Sequence, residues 1–247
     1  MAKQMVGAAP RRRRRTRAGV VLSEQLIIDT ALRMLAVHGR EGLSARRLAT
    51  ALDIDPSTLY RYFRSMDDLT LAVGDALIAC AVNQSEPQGD WGNDLRALGL
   101  RIHQAYLDHP QAAVLTASRV SGRPHEIAAD EIILSLLLKA GFSRPAAVRI
   151  YQVFIDQCLA FAALDAAEAA LPAPARRADE AMWENTYARL PAATHPAIAA
   201  TADLLTVRMA TSAYPRALDM LLDAARGELA GYSCSGCGGV RRPVTVM

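Results

Sequence analysis

Long apolar runs are missing from this sequence. No uninterrupted stretch in its 247 residues reaches membrane-spanning length, so no membrane partner is expected. Runs of β-branched residues are also few, while Ala and Leu dominate, which disfavours sheet and favours an all-α fold. Cysteine is scarce, with four in all. The N-terminal arginines have no apolar segment behind them, so a secretory leader is not expected, and a reduced, cytoplasmic setting is. His103, His109 and His125 are not spaced i, i+4, and Cys234 and Cys237 have no second Cys pair, which leaves no zinc pattern and no metal or cofactor to expect. A phosphate-cradling Gly loop, a nucleophile–base arrangement and a paired-carboxylate motif are all lacking, so no enzyme is expected. An all-α enzyme carrying a helix pair is the rival from another class.

What is present is an uneven charge distribution. Residues 1–65 hold 13 Lys and Arg against 5 Asp and Glu; residues 66–247 hold 15 against 20. A basic head on a mildly acidic body points to a polyanionic partner for the head. Residues 1–22 contain Arg11–Arg15 and Arg17 and cannot bury a core, so they are expected to be a disordered basic arm. Such an arm either follows DNA phosphates or is a solvated tail.

Ser23 can cap a first helix, whose buried face is predicted at Ile28, Ala31, Leu32, Leu35 and Ala36, with Gly39 as its C′ residue. Ser44 opens a second helix to Leu52. Asp53-Ile54-Asp55 makes a turn, and Asp55-Pro56 starts a third helix predicted to reach Phe63. Leu48, Ala49, Leu52, Leu59 and Phe63 face inward in this reading. Ser57, Thr58, Tyr60, Arg61 and Tyr62 face outward, as residue types that suit base edges and phosphates. The pair reads as a helix-turn-helix, or more plainly as an ordinary helix pair in an all-α protein.

The stretch EGLSARRLATALDIDPSTLYRYFRSMDDLTLAV resembles the N-terminal domain of the tetracycline-repressor (TetR) family of bacterial transcription regulators, over about residues 23–75. The resemblance implies an all-α chain with a helix-turn-helix head over residues 23–66. It further implies a helical ligand-binding and dimerisation body over 67–232 and leaves 233–247 as a flexible tail. It places Ala45 and Arg46 at the DNA backbone and Pro56, Ser57, Thr58, Tyr60, Arg61 and Tyr62 on the recognition helix. Two residues depart from the family pattern. Asp53 stands where Gly is usual, though Asp tolerates left-handed backbone angles better than most residues. Met66 stands where a phosphate-binding Lys is usual.

Ser65 caps a fourth helix whose inward stripe is predicted at Leu69, Val73, Ala76, Leu77 and Cys80. Residues 85–90 read as a loop. Further helices are expected over 94–109, from Pro110 to near Val120, over 125–140 and from Ser143 to about Leu171. Leu171–Arg177 reads as a Pro/Ala loop, Ala178–Leu190 and Thr194–Met209 as weaker helices, and Tyr214–Ala230 as the last helix. The segment AGFSRPAAVRIYQVFIDQCLAFAALDAA is similar to the regulatory domain of the same family. This implies that the long helix and the last helix pair with a second copy to form a homodimer. His103, Tyr106, Tyr151, Phe154, Gln157 and Phe161 are the candidate contacts for a small-molecule effector, each with a core or surface role as its alternative. The function implied is a ligand-responsive regulator, a repressor of a palindromic double-stranded DNA operator. A redox response through Cys234 and Cys237 is the alternative within that class.

Overall fold

The computed structural model describes residues 21–83, 88–208 and 211–235, without the side chains of 208 and 232–235. Residues 1–20, 84–87, 209–210 and 236–247 lie outside the described residues, so most of the arm, part of the predicted 85–90 loop, the predicted helix end at Met209, Cys237 and most of the tail do too. Among the described residues every regular element is helical.

Four helices build the N-terminal end: α1 (Glu24–Gly42), α2 (Ala45–Ala51), α3 (Pro56–Leu59) and α4 (Met66–Val82). Each start is capped by the residue type that the sequence supplies there. Ser23, Ser44, Asp55 and Ser65 accept from the amides of Leu26, Arg47, Ser57 and Asp68. Gly39 adopts φ 61°, and the α1 run breaks there, as a C′ glycine does. Ile27, Ile28, Ala31 and Leu35 carry the buried face of α1; Leu32 is half-buried and Ala36 exposed.

Two further expectations fail in this region. The third helix stops at Leu59 instead of Phe63, and the chain continues in a tighter turn, with Arg61 N–H donating to Thr58 O and Tyr62 N–H to Leu59 O. Three of the four residues after Leu59 are aromatic and favour helix weakly, and the extended Ser65 cap follows closely. Leu22, assigned to the arm, is instead 4% exposed and joins the core.

The body holds α5 (Trp91–Leu107), α6 (Pro110–Thr116), α7 (Pro124–Lys139), α8 (Arg144–Ala169), α9 (Ala173–Asn185), α10 (Pro196–Arg208) and α11 (Tyr214–Ser235). Helix α8 packs against α5, α6, α7 and α11, and α4 packs against α5, α6 and α7. By length and composition α8 suffices to cross a membrane. Its stripe Ala146, Ile150, Phe154, Cys158, Ala162 and Ala166 is instead buried in this bundle. One apolar core runs without interruption from Leu22 to Ala225.

Several predicted bounds shift. Helix α6 ends at Thr116, and Val120 is exposed. Cys80 leaves the inward stripe of α4 and is exposed. The expected loop at 171–177 is mostly the first turn of α9, because Pro172 and Pro174 sit where a helix has no amide bond to lose. Helix α11 runs to Ser235, past the expected Ala230. Helices α9 and α10 enclose a 3₁₀ turn, Tyr187–Arg189, and pack mainly on it and on each other; no residue of α9 is buried.

Candidate nucleic-acid interface and effector cavity

The α2–α3 unit sorts its predicted contacts into two groups. Arg46, Pro56, Ser57, Tyr60 and Arg61 are exposed, and Ala45 is half-buried at the first position of α2. Thr58 and Tyr62 do not face outward as expected. Thr58 is 8% exposed, and the Tyr62 hydroxyl donates to Leu22 O at 3.1 Å. Tyr62 therefore ties the root of the arm to the head. In a helix of four residues the 3.6-residue period cannot fix which side Thr58 takes. Two arginines add to the exposed basic surface. Arg47 donates to Glu41 O at 3.3 Å, and Arg64, which the sequence reading passed over, has a side chain 95% exposed. Asp53 turns the chain at φ 54°, as the only described non-Gly residue with positive φ. Met66 packs partly buried against the core.

Helix α4 links this head to the body through charge. Arg119 donates to both oxygens of Asp67, at 2.9 and 3.0 Å. Arg123 bonds Asp68 at 2.8 Å and Glu24 at 3.0 Å, with its guanidinium 5.9 Å from the Phe63 ring centroid. Further along α4, buried Asp75 accepts the His125 and Glu126 amides at 3.0 and 2.9 Å and stands 2.8 Å from His125 Nδ1. A carboxylate on α4 thus caps α7.

A cavity of about 430 Å³ lies behind this contact, within the range of small-molecule sites. Ile78 of α4, Ile102 of α5, Ala129 of α7 and Ile155, Leu159 and Ala163 of α8 give it apolar walls. Residues 117–120 close one side. Its polar groups are Ser118, Arg119, Glu126, Asp130, Tyr151 and Asp156. Tyr151 donates to Asp130 Oδ1 at 2.8 Å. Burial raises Asp130 above the usual carboxylate range, and burial with Asp130 alongside pushes the Tyr151 hydroxyl up to about 12. Burial also pushes the Cys158 thiol, another wall residue, up to about 11.

Of the six residues expected to meet a ligand, the cavity lining includes Tyr151 alone. Phe154 is fully buried core, Tyr106 is 2% exposed, and Phe161 packs on Tyr214 with centroids 5.7 Å apart. Gln157 lies outside the lining, with Oε1 buried and unpartnered. His103 stacks on Tyr214 at 4.6 Å, and its Nε2 stands 2.7 Å from Asp165 Oδ2. Ser212 donates to the same oxygen and accepts from the Tyr214 amide at 3.1 Å. Ser212 and His103 thus both bond Asp165, a link between α5, α8 and α11 rather than a nucleophile–base relay. Among the described residues no group of His, Cys, Asp and Glu could hold a metal ion. Sequence reasoning missed Glu126, Asp130 and Asp156, because periodicity does not show which carboxylates flank an internal space.

The profile of bacterial regulatory proteins of the tetR family matches residues 27–73, and that of the tetracyclin repressor-like C-terminal domain matches residues 84–225, more than half of the chain. This chain belongs to the TetR family. An HTH-type transcriptional regulator of Saccharopolyspora erythraea is 29% identical over 131 residues, covering 53% of this chain and 56% of the relative. The tetracycline repressor protein class E of Escherichia coli is 33% identical over 133 residues, covering 53% of this chain and 63% of that one. The chain therefore matches less than two thirds of the length of these relatives. A crystal structure from Streptomyces coelicolor A3(2), described as a possible TetR family transcriptional regulator, aligns with TM-score 0.70 at 26% identity. That alignment covers 83% of this chain and 99% of the other. The all-α fold with an N-terminal helix-turn-helix is that of the family.

Proposed function

We propose that this TetR-family chain is a repressor that binds a palindromic DNA operator as a homodimer and is released by a small-molecule effector. One observation carries the reading. Residues 117–120 wall the cavity, and the same segment runs through Arg119 and Arg123 to Asp67, Asp68 and Glu24 at the start of α4 and α1. A ligand that moves this segment changes how the head is held. It can drive release only by binding the two head arrangements with different affinity.

The proposed head spans residues 23–66 and the body 67–232. Arg46, Ser57, Tyr60 and Arg61 meet DNA, with Arg47 and Arg64 adding phosphate contacts. The exposed Val148, Val153 and Leu164 on α8 and Met220 on α11 supply apolar surface for a two-fold partner, and two-fold symmetry suits a palindromic site. Tetracycline repressors, named for both repression and a small molecule, are among the similar chains. A chain that works on DNA by this route acts in the cytoplasm. Neither rival reading gains support: the Cys234 side chain and Cys237 lie outside the described residues, and the contact of Ser212 and His103 with Asp165 ties helices together.

The test is fluorescence anisotropy with duplex DNA from upstream of the chain's own coding sequence, together with sedimentation of the free protein. A salt-sensitive, sequence-specific complex of two protomers is expected. A monomer in solution, or binding indifferent to sequence, overturns the proposal.

A further inference from the structure

Three carboxylates border an otherwise apolar cavity, and they are not equivalent. Glu126 is accounted for by the loop before α7: one of its oxygens accepts the Ser121 amide and hydroxyl and the Gly122 amide. Asp156 lies at an exposed position on α8. Asp130 has no such structural role. It stands four residues after Glu126 on α7, beyond the first turn where the helix dipole favours an acid. Among the described residues its single hydrogen bond comes from Tyr151, and no Lys, Arg or His makes an ion pair with it or with the other two carboxylates.

A half-buried carboxylate beside a second one, with no cation, is an arrangement that folding alone does not favour. Burial and Glu126 both act against its charge. A positive group entering the cavity relieves that cost. An anion gains no equivalent, because Arg119, the one cation in the lining, already gives both terminal nitrogens to Asp67.

We propose that the effector is an amphipathic organic cation, an amine or quaternary ammonium whose positive centre sits against Asp130 and Glu126 and whose apolar body lies among Ile78, Ile102, Ile155 and Leu159. The Tyr151 ring borders the same space and adds a face that attracts a cation. This rests on the reading of the same cavity as the effector site. The selectivity follows from charge and shape together: small neutral molecules leave Asp130 uncompensated, and hydrophilic cations leave the apolar walls unfilled.

Tetraphenylphosphonium and tetraphenylborate are matched probes of nearly the same size and opposite charge. Calorimetric titration of the full-length protein is expected to show phosphonium binding at least about tenfold tighter than borate. Asp130→Asn keeps the acceptor for Tyr151 and removes the charge, and it is expected to weaken phosphonium binding by about tenfold with a melting temperature that is unchanged or raised. Ala163→Trp narrows the cavity to less than a tetraphenyl ion needs and is expected to abolish binding. Equal or tighter borate binding, insensitivity to Asp130→Asn, or no phosphonium binding at all overturns the cationic effector. If both probes bind and Ala163→Trp blocks both, the cavity reading survives that failure. If phosphonium binds and Ala163→Trp leaves it unaffected, the cavity reading falls as well.

Discussion

Arg119 grips Asp67 through both carboxylate oxygens, joining the wall of the cavity to the first turn of α4. In the proposed mechanism the pair connects the cavity to the place where the head is held. Both side chains are open to solvent, so it contributes little to folding. Its consequence is for coupling, since a contact can matter to the balance between two arrangements while mattering little to either alone.

Arg119→Gln is therefore expected to leave the melting temperature nearly unchanged. It should reduce the effector-induced loss of operator affinity by about tenfold. Anisotropy titrations with and without effector measure this. A variant that responds like the parent would show that the signal passes elsewhere.

Asp68 gives a pH signature. The Arg64 amide donates to its Oδ2 at 2.8 Å and, with the Arg123 guanidinium, holds the carboxyl below the usual range. A depressed folded pKa stabilises above the unfolded value, about 4, and that stability is lost as pH falls through the lower folded value. Urea midpoints measured between about pH 6 and about pH 3 should fall less steeply for Asp68→Asn than for the parent.

Asp75→Ala removes the cap from α7 and leaves the His125 and Glu126 amides without their acceptor. A loss of about 2 kcal/mol in urea unfolding is expected, partly restored by Asp75→Asn.

The head separates affinity from stability. Arg46→Ala and Arg61→Ala should each weaken operator binding and lower the salt slope by about one. Tyr62→Phe loses the bond to Leu22 and should instead destabilise the fold by about 1 kcal/mol, with the salt slope unchanged. A Tyr62→Phe defect confined to DNA binding would return that residue to the interface.

Asp53 occupies the left-handed turn at φ 54°. Asp53→Val is expected to cost about 1–2 kcal/mol, because a β-branched side chain crowds that backbone. Asp53→Gly should stay within about 1 kcal/mol of the parent. The comparison is made by urea unfolding.

The helix starts were readable because caps are local. Ser23, Ser44, Asp55-Pro56 and Ser65 each supply a side-chain oxygen to an amide two or three residues ahead, and nothing distant intervenes. The end of α3 was not readable, since it depends on fitting three aromatic residues and a new cap into a few positions. Pro172 and Pro174 read as breakers because sequence does not distinguish a proline that ends a helix from one that begins it. The cavity was least legible. Its space exists because Ala117, Ala129 and Ala163, on separate elements, are small where they line it. Each alone reads as a good helix former, and only their meeting makes a void. His103 and Gln157 are polar groups on apolar helices. His103 was needed instead to join α5 to Asp165.

Gly99 sits where α5 meets α8 and α11. A Cβ there would lie 2.6 Å from the Tyr214 hydroxyl, 3.1 Å from Leu218 and 3.2 Å from Phe154. These three helices cannot be spread or slid without giving up that contact. A descendant that is to answer a different chemical signal must therefore change single side chains on α7 and the inner face of α8, and leave the spacing of the bundle alone. Specificity can drift in this protein far more readily than architecture, and one hydrogen atom in place of a methyl group sets the boundary between them.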